Sequence, residues 1–310
     1  MKKRKKWLVP VLGLVLAGVI LANGGSSKKK SVVSSDGKTE TVDSTAANPE
    51  EGSDSGENTK TPEKVTIEEQ VLVDHEGVKI TALGYETDKI WGDGVKLLIE
   101  NHSDKKIMVG CSALIVNDCM ISDLFACEVA PEKKANETMH LSSKELKAAG
   151  IDTVGQIEIY FHIYESDNIS NRYNPDCVTI KTSAYDQMDT TIDAAGTELY
   201  NENGIRIVGK TVDENSFWGK SILVYCENTS GKNVTIHVDD LSINGFMMKP
   251  YFSTTVYNGK KSLDDITLMK SDLEKNNIME IKDVELKFRI TDADSYKSIA
   301  ESKPITFQAQ

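Results

Sequence analysis

The sequence lacks the short motifs that carry most enzyme chemistry. It contains no HExxH, GxSxG, P-loop or GxGxxG pattern. Its five cysteines never occur at CxxC spacing, and no cysteine lies at metal-ligand spacing from a histidine. We therefore predict no catalytic, cofactor-binding or metal-binding residues, and we expect a protein that is not an enzyme.

Positive charge is also scarce. The 36 lysines and arginines are outnumbered by 48 aspartates and glutamates, so the formal net charge is −12. A protein that binds a phosphate backbone needs an excess of the opposite sign, usually as a basic stripe interleaved with aromatic residues. The sequence has no such stripe, and we predict no nucleic-acid partner.

The N-terminus has the pattern of an export signal. Five basic residues, 2–6, precede the uncharged stretch 7–22. This stretch is shorter than the roughly 20 residues that usually span a bilayer, so cleavage after Ala22 or Gly24 and retention as an anchor are both open. We predict a signal peptide or N-terminal membrane anchor over 1–22, in an apolar helix. The protein is expected to be secreted, or anchored to the membrane through this segment and facing outside.

Residues 23–66 are predicted to form a disordered linker. They are rich in Ser, Lys, Thr, Asp, Glu, Gly and Asn and contain few aliphatic residues. Such a composition buries too little apolar surface to offset the entropy lost on ordering.

The rest of the chain is a tandem duplication. Residues 77–180 align without a gap on 204–307 at a constant offset of 127, with 23 identities in 104 pairs. Only two long copies argue for two globular domains rather than a solenoid of many short units. We assign a first repeat to 67–183, a linker to 184–196 and a second repeat to 197–310. The linker is expected to be flexible, so that the repeats move independently.

Each repeat is predicted to be an antiparallel β-sandwich with one short helix. Apolar and polar residues alternate over 157–164 and again over 284–291, which is typical of half-buried strands. Short helices are predicted at 142–150 and 271–277. Their caps are predicted from Ser142 with Glu145 and from Ser271 with Glu274, which have capping-box spacing.

The cysteines of one repeat are not matched in the other. Cys111, Cys119, Cys127, Cys177 and Cys226 each align with a different residue type. We interpret them as small buried hydrophobic residues. A bond between Cys119 and Cys127 across a hairpin is the alternative.

Two duplicated motifs provide the candidate ligand contacts. Trp91 and Trp218 each precede a glycine at the start of an apolar strand, where the ring could either close the core or stand on a loop as a binding platform. Lys pairs recur as Lys133, Lys134 and Lys260, Lys261. These pairs could contact an anionic cell-wall polymer, or they could simply be charged turns.

The repeat resembles a family of exported, uncharacterised Ig-like tandem-repeat proteins and lipoproteins of Gram-positive anaerobes. The resemblance rests on the turn Ile99–Ser103, on Val116-Asn117, on Lys133-Lys134 and on the strand Ile157–Phe161, and it covers both repeats. It implies an immunoglobulin-like fold outside the membrane and brings no activity with it. The lipoprotein members have a cysteine after Leu-Ala-Gly, whereas this chain has Val19 there.

These observations lead to one main functional hypothesis. We expect a non-catalytic extracytoplasmic protein that binds or spaces something at the cell envelope, with a cell-wall polymer or a surface protein as the partner. The alternative is an accessory or weakly hydrolytic enzyme that uses an acidic pair on cell-wall or glycan material.

Overall fold

The computed structural model describes residues 64–88 and 92–308, in which the regular secondary structure is almost all β-strand. The predictions for 1–22, for most of the linker 23–66 and for Trp91 fall outside the described residues. Within the described part of the chain, no helix has the length and apolarity needed to cross a membrane.

The strands of the first repeat are β1 (Gln70–His75), β2 (Val78–Asp88), β3 (Gly92–Asn101), β4 (Ile107–Val116), β5 (Cys119–Ile121), β6 (Ala126–Val129), β7 (Lys133–His140), β8 (Gln156–Glu165), β9 (Asn168–Tyr173) and β10 (Val178–Lys181). Its helix, α1 (Ser143–Ala148), lies between β7 and β8, and a 3₁₀ turn, Tyr185–Gln187, follows β10.

The strands of the second repeat are β11 (Thr197–Glu202), β12 (Ile205–Asp213), β13 (Gly219–Asn228), β14 (Val234–Ile243), β15 (Phe246–Met247), β16 (Ser253–Val256), β17 (Lys260–Met269), β18 (Asp283–Asp292), β19 (Ser298–Glu301) and β20 (Ile305–Gln308). Its helix, α2 (Lys270–Lys275), follows β17.

Each repeat is a sandwich of two antiparallel sheets. In the first repeat, β1-β2-β3-β7 forms one sheet, and β10-β8-β4 forms the other. Strands β3 and β4 are consecutive in the chain but lie in different sheets, and so do β7 and β8. In immunoglobulin nomenclature, the first sheet contains strands like A, B and E, and the second contains strands like C, F and G. This Greek-key crossing is the immunoglobulin-like arrangement. The second repeat has the same order, with β11-β12-β13-β17 facing β14 and β18.

The core of each sandwich comes from the alternating residues that the sequence singles out. Ile157, Ile159 and Phe161 are buried in the first repeat, as are Val284, Leu286 and Phe288 in the second. The prediction of two tandem all-β sandwiches with one short helix each is confirmed.

The helix caps differ from the prediction. Ser142 is the N-cap of α1, but its side chain makes no capping hydrogen bond. The N-cap of α2 is Met269, so Ser271 lies inside the helix and its predicted capping role is wrong. Gly150 and Asn277 end the helices with φ angles of 71° and 53°, because glycine and asparagine tolerate the left-handed conformation.

A buried asparagine explains the repeated Glu-Asn-x-Ser turn. Asn228 is fully buried, and its Nδ2 donates to the carbonyl oxygens of Lys232 and Val256, both at 2.7 Å. Its Oδ1 accepts from the backbone N–H and the hydroxyl of Ser230. Asn101 makes the equivalent bonds in the first repeat. The motif therefore ties the end of one strand to two loops.

A second asparagine pair fixes the other end of each sandwich. Asn117 and Asn244 both adopt positive φ, at 47° and 50°. Asn117 Oδ1 accepts from the N–H groups of Gly155 and Gln156, and Asn244 Oδ1 accepts from those of Lys282 and Asp283. These bonds hold the start of β8 and of β18 against the preceding hairpin.

The two repeats share one continuous sheet. Strand β5 of the first repeat pairs in parallel with β17 of the second, where Cys119 lies opposite Lys261 and Met120 opposite Ser262. This contact joins the β10-β8-β4 sheet to the β17-β13-β12-β11 sheet, and the merged sheet has ten strands. The described residues belong to one compact unit, Lys60–Gln310.

Lys260 forms the ionic centre of this junction. Its Nζ contacts Asp118 Oδ1 at 2.6 Å and also the carboxylate of Glu158, both in the first repeat. Burial alone lowers the pKa of Lys260, but the hydrogen bonds to Asp118 and Glu158 outweigh it, so that the pKa is raised overall. The ammonium group therefore remains charged where it joins the repeats.

An apolar row completes the junction. Val208, Tyr225 and Leu263 lie side by side on β12, β13 and β17. All three are buried in the core cluster of the first repeat rather than in that of the second. In the first repeat, the equivalent row is Thr81, Leu98 and Asn136.

The linker 184–196 takes part in the same junction. Ile192 is buried, and the carbonyl oxygens of Asp189 and Thr190 accept from Asn117 Nδ2 and Lys261 Nζ. The sequence predicts a loose spacer because these residues are small and polar. The structure instead packs them between the repeats, since side chains from both repeats supply their hydrogen-bond partners.

All five cysteines are unpaired. Cys119, Cys127 and Cys226 are buried, which agrees with their interpretation as small hydrophobic residues, and the alternative bond between Cys119 and Cys127 is not formed. Burial, with a smaller effect from nearby carboxylates, raises the pKa of the Cys119 thiol to about 12.

The asparagine corner gives a first testable prediction. Asn228→Ala should lower the free energy of unfolding by about 2–4 kcal/mol, because it leaves buried carbonyl and N–H groups without partners. Urea unfolding of the full chain measures this loss. Asn136→Ala, at an exposed position, is the matched control. An equal loss in both variants would show that the buried hydrogen bonds are not what stabilises the corner.

The junction gives a second prediction. Leu263→Asn places in the second repeat the residue that the first repeat has at the equivalent position. We expect it to lower the free energy of unfolding by about 2–4 kcal/mol and to split one unfolding transition into two. Calorimetry of the full chain measures both effects. Leu124→Asn, at a fully exposed leucine, is the control. A single transition of unchanged midpoint would contradict the assignment.

Candidate binding site

Two exposed aromatic rings stand on the loop between β12 and β13. We call Phe217 and Trp218 the aromatic tip. Their side chains are 89% and 58% exposed, although each carries a large apolar surface. The rings contact one another edge to face, with centroids 4.8 Å apart and an interplanar angle of 88°. Trp218 thus lies on the loop, and it does not close the core.

The loop is held in place by its flanks. Gly219 N donates to Ser216 O at 3.1 Å, and Asn215 N donates to Asp213 Oδ1 at 2.9 Å. Lys270 N, at the start of α2, donates to Trp218 O at 2.9 Å. The tip is therefore presented by a hydrogen-bonded loop between two strands, which favours a single ring arrangement.

The glycine of the repeated Trp-Gly motif has a structural reason. A Cβ atom on Gly219 would lie 2.3 Å from the carbonyl oxygen of Leu268. A Cβ on Gly92 would lie 1.9 Å from Ser143 Oγ, at a φ of 78°. Both strands begin against the segment that leads into the helix, where only glycine fits. The tryptophan itself has no such packing reason at position 218.

Sequence reasoning identified Trp218 but missed Phe217. The equivalent residue in the first repeat is Ile90, so the aromatic pair does not recur in the alignment. The available signal was local, since two large apolar residues follow the polar run 213–216 at a predicted loop. Met279 is another exposed apolar residue, at 85%. It lies close to the start of β13, where Lys220 Nζ donates to its carbonyl oxygen at 2.6 Å.

The four candidate lysines have three different environments. Lys133 is exposed at the start of β7, and Lys134 pairs with Glu100 on the neighbouring strand. Lys260 and Lys261 lie in the junction between the repeats. Both of their ammonium groups are occupied by partners in the first repeat or the linker, which differs from the predicted contact with a wall polymer.

Adjacent aspartates of the second repeat, which could serve as the acidic pair of a hydrolytic enzyme, also have protein partners. Asp239 pairs with Arg289, and Asp240 with Lys287. Asp264 accepts from Thr254 Oγ1 at 2.6 Å, and burial raises the pKa of its carboxyl group. Across 64–88 and 92–308, no group of three or more His, Cys, Asp or Glu side chains is placed to hold a metal ion.

A cleft on the first repeat lies between the β1–β2 turn and β9. His75 and Tyr173 stack there with centroids 3.8 Å apart, and Arg172, Lys105 and Glu165 complete its polar wall. The second repeat has no equivalent of this stack, because Glu202 and Ala300 occupy the matching positions.

Comparison with known proteins adds little. No protein-family model matches the chain, and no curated protein matches it. One solved structure with some similarity is the SafA pilin of Salmonella enterica in complex with the SafB chaperone, at 11% identity and a TM-score of 0.21, covering 69% of this chain and 88% of that one. Another is a protein of unknown function from Porphyromonas gingivalis W83, at 11% identity and a TM-score of 0.18, covering 70% and 90%. At these scores neither carries an argument about this chain.

The Trp-Gly motif gives a third prediction. Trp218→Ala should change the free energy of unfolding by no more than about 0.5 kcal/mol, because the ring is exposed. Gly219→Ala should cost about 1–3 kcal/mol, because its Cβ meets a backbone oxygen. Urea unfolding of both variants compares them directly. A larger loss for the tryptophan than for the glycine would mean that the ring closes the core.

Proposed function

We propose that the chain is a non-catalytic surface protein, exported across the membrane, that binds a protein partner at the cell envelope through the aromatic tip. The observation that carries the proposal is the exposure of Phe217 and Trp218 on a loop that is itself held by hydrogen bonds.

Exposed aromatic rings of this kind do not contribute the burial free energy that they could give to the fold. Leaving a Phe and a Trp side chain in water forgoes about 1.5–3 kcal/mol for each ring that could be buried. Tryptophan is also among the residues most enriched at the energetic centres of protein interfaces. A partner that receives both rings would gain this free energy with little further ordering, since the loop is already fixed.

The geometry favours a protein pocket over a flat sugar surface. The two ring planes are nearly perpendicular, so they do not form one continuous platform on which a sugar ring could lie. They form instead a protruding wedge, which suits a complementary apolar pocket. The exposed Met279 near the same end extends the apolar surface available to a partner.

The N-terminal sequence supports the location. Basic residues 2–6 followed by the uncharged stretch 7–22 suit export, and the polar residues 23–63 suit a tether outside the membrane. The shared sheet makes the two repeats a single body on this tether. The aromatic tip belongs to the repeat farther along the chain from the membrane segment.

A binding experiment tests the proposal. We expect the full chain to retain a protein from a cell-envelope fraction and the Phe217→Ala/Trp218→Ala double variant to lose it, with at least a tenfold weaker affinity. Tyr296→Ala removes another exposed ring, 83% exposed and distant in sequence, and is the matched control. Deletion of residues 2–22 should abolish labelling of the protein on intact cells.

Three results would count against the proposal. Equal retention by the double variant would remove the aromatic tip from the binding site. Retention only by purified wall polymer would replace a protein partner with a polymer. No retention by the parent chain from any envelope fraction would favour a spacer without a ligand.

A further inference from the structure

The junction between the repeats is a contact between two edge strands. Each of these two strands has a counterpart in the other repeat. In the junction, β5 of the first repeat pairs with β17 of the second. By the internal alignment, β15 is the second repeat's counterpart of β5, and β7 is the first repeat's counterpart of β17. In the described part of the chain, β15 pairs only with β14, and β7 pairs only with β3.

The counterpart of β5 is exposed and apolar. Phe246 and Met247 are 48% and 67% exposed, whereas the equivalent Cys119 is buried and Met120 packs against the core of the second repeat. Met120 and Met247 are identical in type and position, yet only one of them is covered. Met120 is covered by the second repeat, whereas Met247 lies on a strand whose outer edge is unpaired among the described residues.

The charges beside β7 and β15 are complementary in the same way as those at the junction. The junction pairs Lys260 with Glu158. The equivalent residues are Lys133, exposed at the start of β7, and Glu285, exposed on β18. The same two residue types are therefore exposed on different repeats, where they would meet if the junction were repeated between molecules.

We propose that a second copy of this chain docks head to tail on the first, with β15 of one copy pairing with β7 of the next and thereby repeating the β5–β17 contact. Lys133 of one copy then pairs with Glu285 of the other, and Met247 is covered as Met120 is. Because the two surfaces differ and lie on different repeats, the contact is heterologous, and each copy can bind one neighbour through β15 and another through β7, in a ring or an open row.

The contact between copies is weaker than the internal junction. The apolar row of the junction consists of Val208, Tyr225 and Leu263. The equivalent row on the first repeat is Thr81, Leu98 and Asn136. A contact through this second row buries less apolar surface. Asp118 is replaced by Gly245, which removes one of the two acceptors of the lysine. Association is therefore concentration-dependent.

Charge reversal provides the test. Lys133→Glu and Glu285→Lys each bring like charges together at the contact and should each raise the dissociation constant about tenfold or more. An equimolar mixture of the two variants restores opposite charges at the contact and should associate as the parent does. Lys297→Glu makes the same charge change at an exposed site elsewhere and is the control. Sedimentation of the full chain over a wide range of concentration measures the average mass.

Two further variants separate the strand pairing from the charge. Met247→Lys should abolish association, whereas Ile169→Lys, at an exposed apolar residue of β9, should leave it unchanged. Asn136→Leu gives the first repeat the apolar residue found in the junction and should tighten association several-fold. Every variant keeps residues 1–63, so any association through them is common to all samples.

The outcomes are distinct. A concentration-dependent mass that falls in both single variants and recovers in their mixture supports the head-to-tail contact. A parent chain that stays monomeric at all concentrations overturns it. So does an association that neither charge reversal changes, or a mixture that associates no better than its components.

Discussion

The pairing of β5 with β17 is the contact on which the shape of the whole body depends. It covers only two residue pairs, yet it converts two sandwiches into one continuous ten-stranded sheet. A pairing this short would not hold two domains together on backbone hydrogen bonds alone, since each contributes only about 1 kcal/mol net. Lys260, with two carboxylates around it, and the apolar row on β12, β13 and β17 supply the rest.

The repeats keep one set of residues for folding and change another set at their surfaces. The asparagines at 101 and 228 make the same bonds to the same loops, because a buried polar group must be satisfied wherever the corner recurs. The outward row includes two polar residues, Thr81 and Asn136, in the first repeat, whereas the equivalent row of the second repeat is wholly apolar and is covered in the junction. The duplication therefore produced two domains of the same fold with different neighbours, and the difference is readable at three positions in register.

Much of the fold could be predicted from the sequence because it depends on local periodicity. Alternation over 157–164 and 284–291 identifies central strands whose inward residues are buried. The junction could not be predicted in this way, because Leu263 and Tyr225 read as ordinary strand residues and their partners lie in the other repeat. The cap at Ser271 failed for a related reason. Ser271 and Glu274 have the spacing of a capping box, but β17 runs directly into α2. The N-cap is therefore Met269, two residues before the predicted Ser271.

The residues of the candidate site also divide into those that the fold requires and those that it does not. The glycine of the Trp-Gly motif recurs at positive φ in both copies, where a Cβ would meet Leu268 O in the second repeat and Ser143 Oγ in the first. The exposure of Trp218 and the presence of Phe217 beside it are not properties of the fold, so alignment of the repeats gave no signal for the pair.

The five unpaired cysteines have a consequence for what stabilises the protein. None forms a covalent crosslink, and the three buried ones are surrounded by core residues rather than by other thiols. The stability of the fold therefore rests on packing and hydrogen bonds and not on disulfides. Because a buried thiol of high pKa is a poor nucleophile, the folded chain is also protected from disulfide exchange with its surroundings. The described fold thus contains no crosslink that a reductant could open.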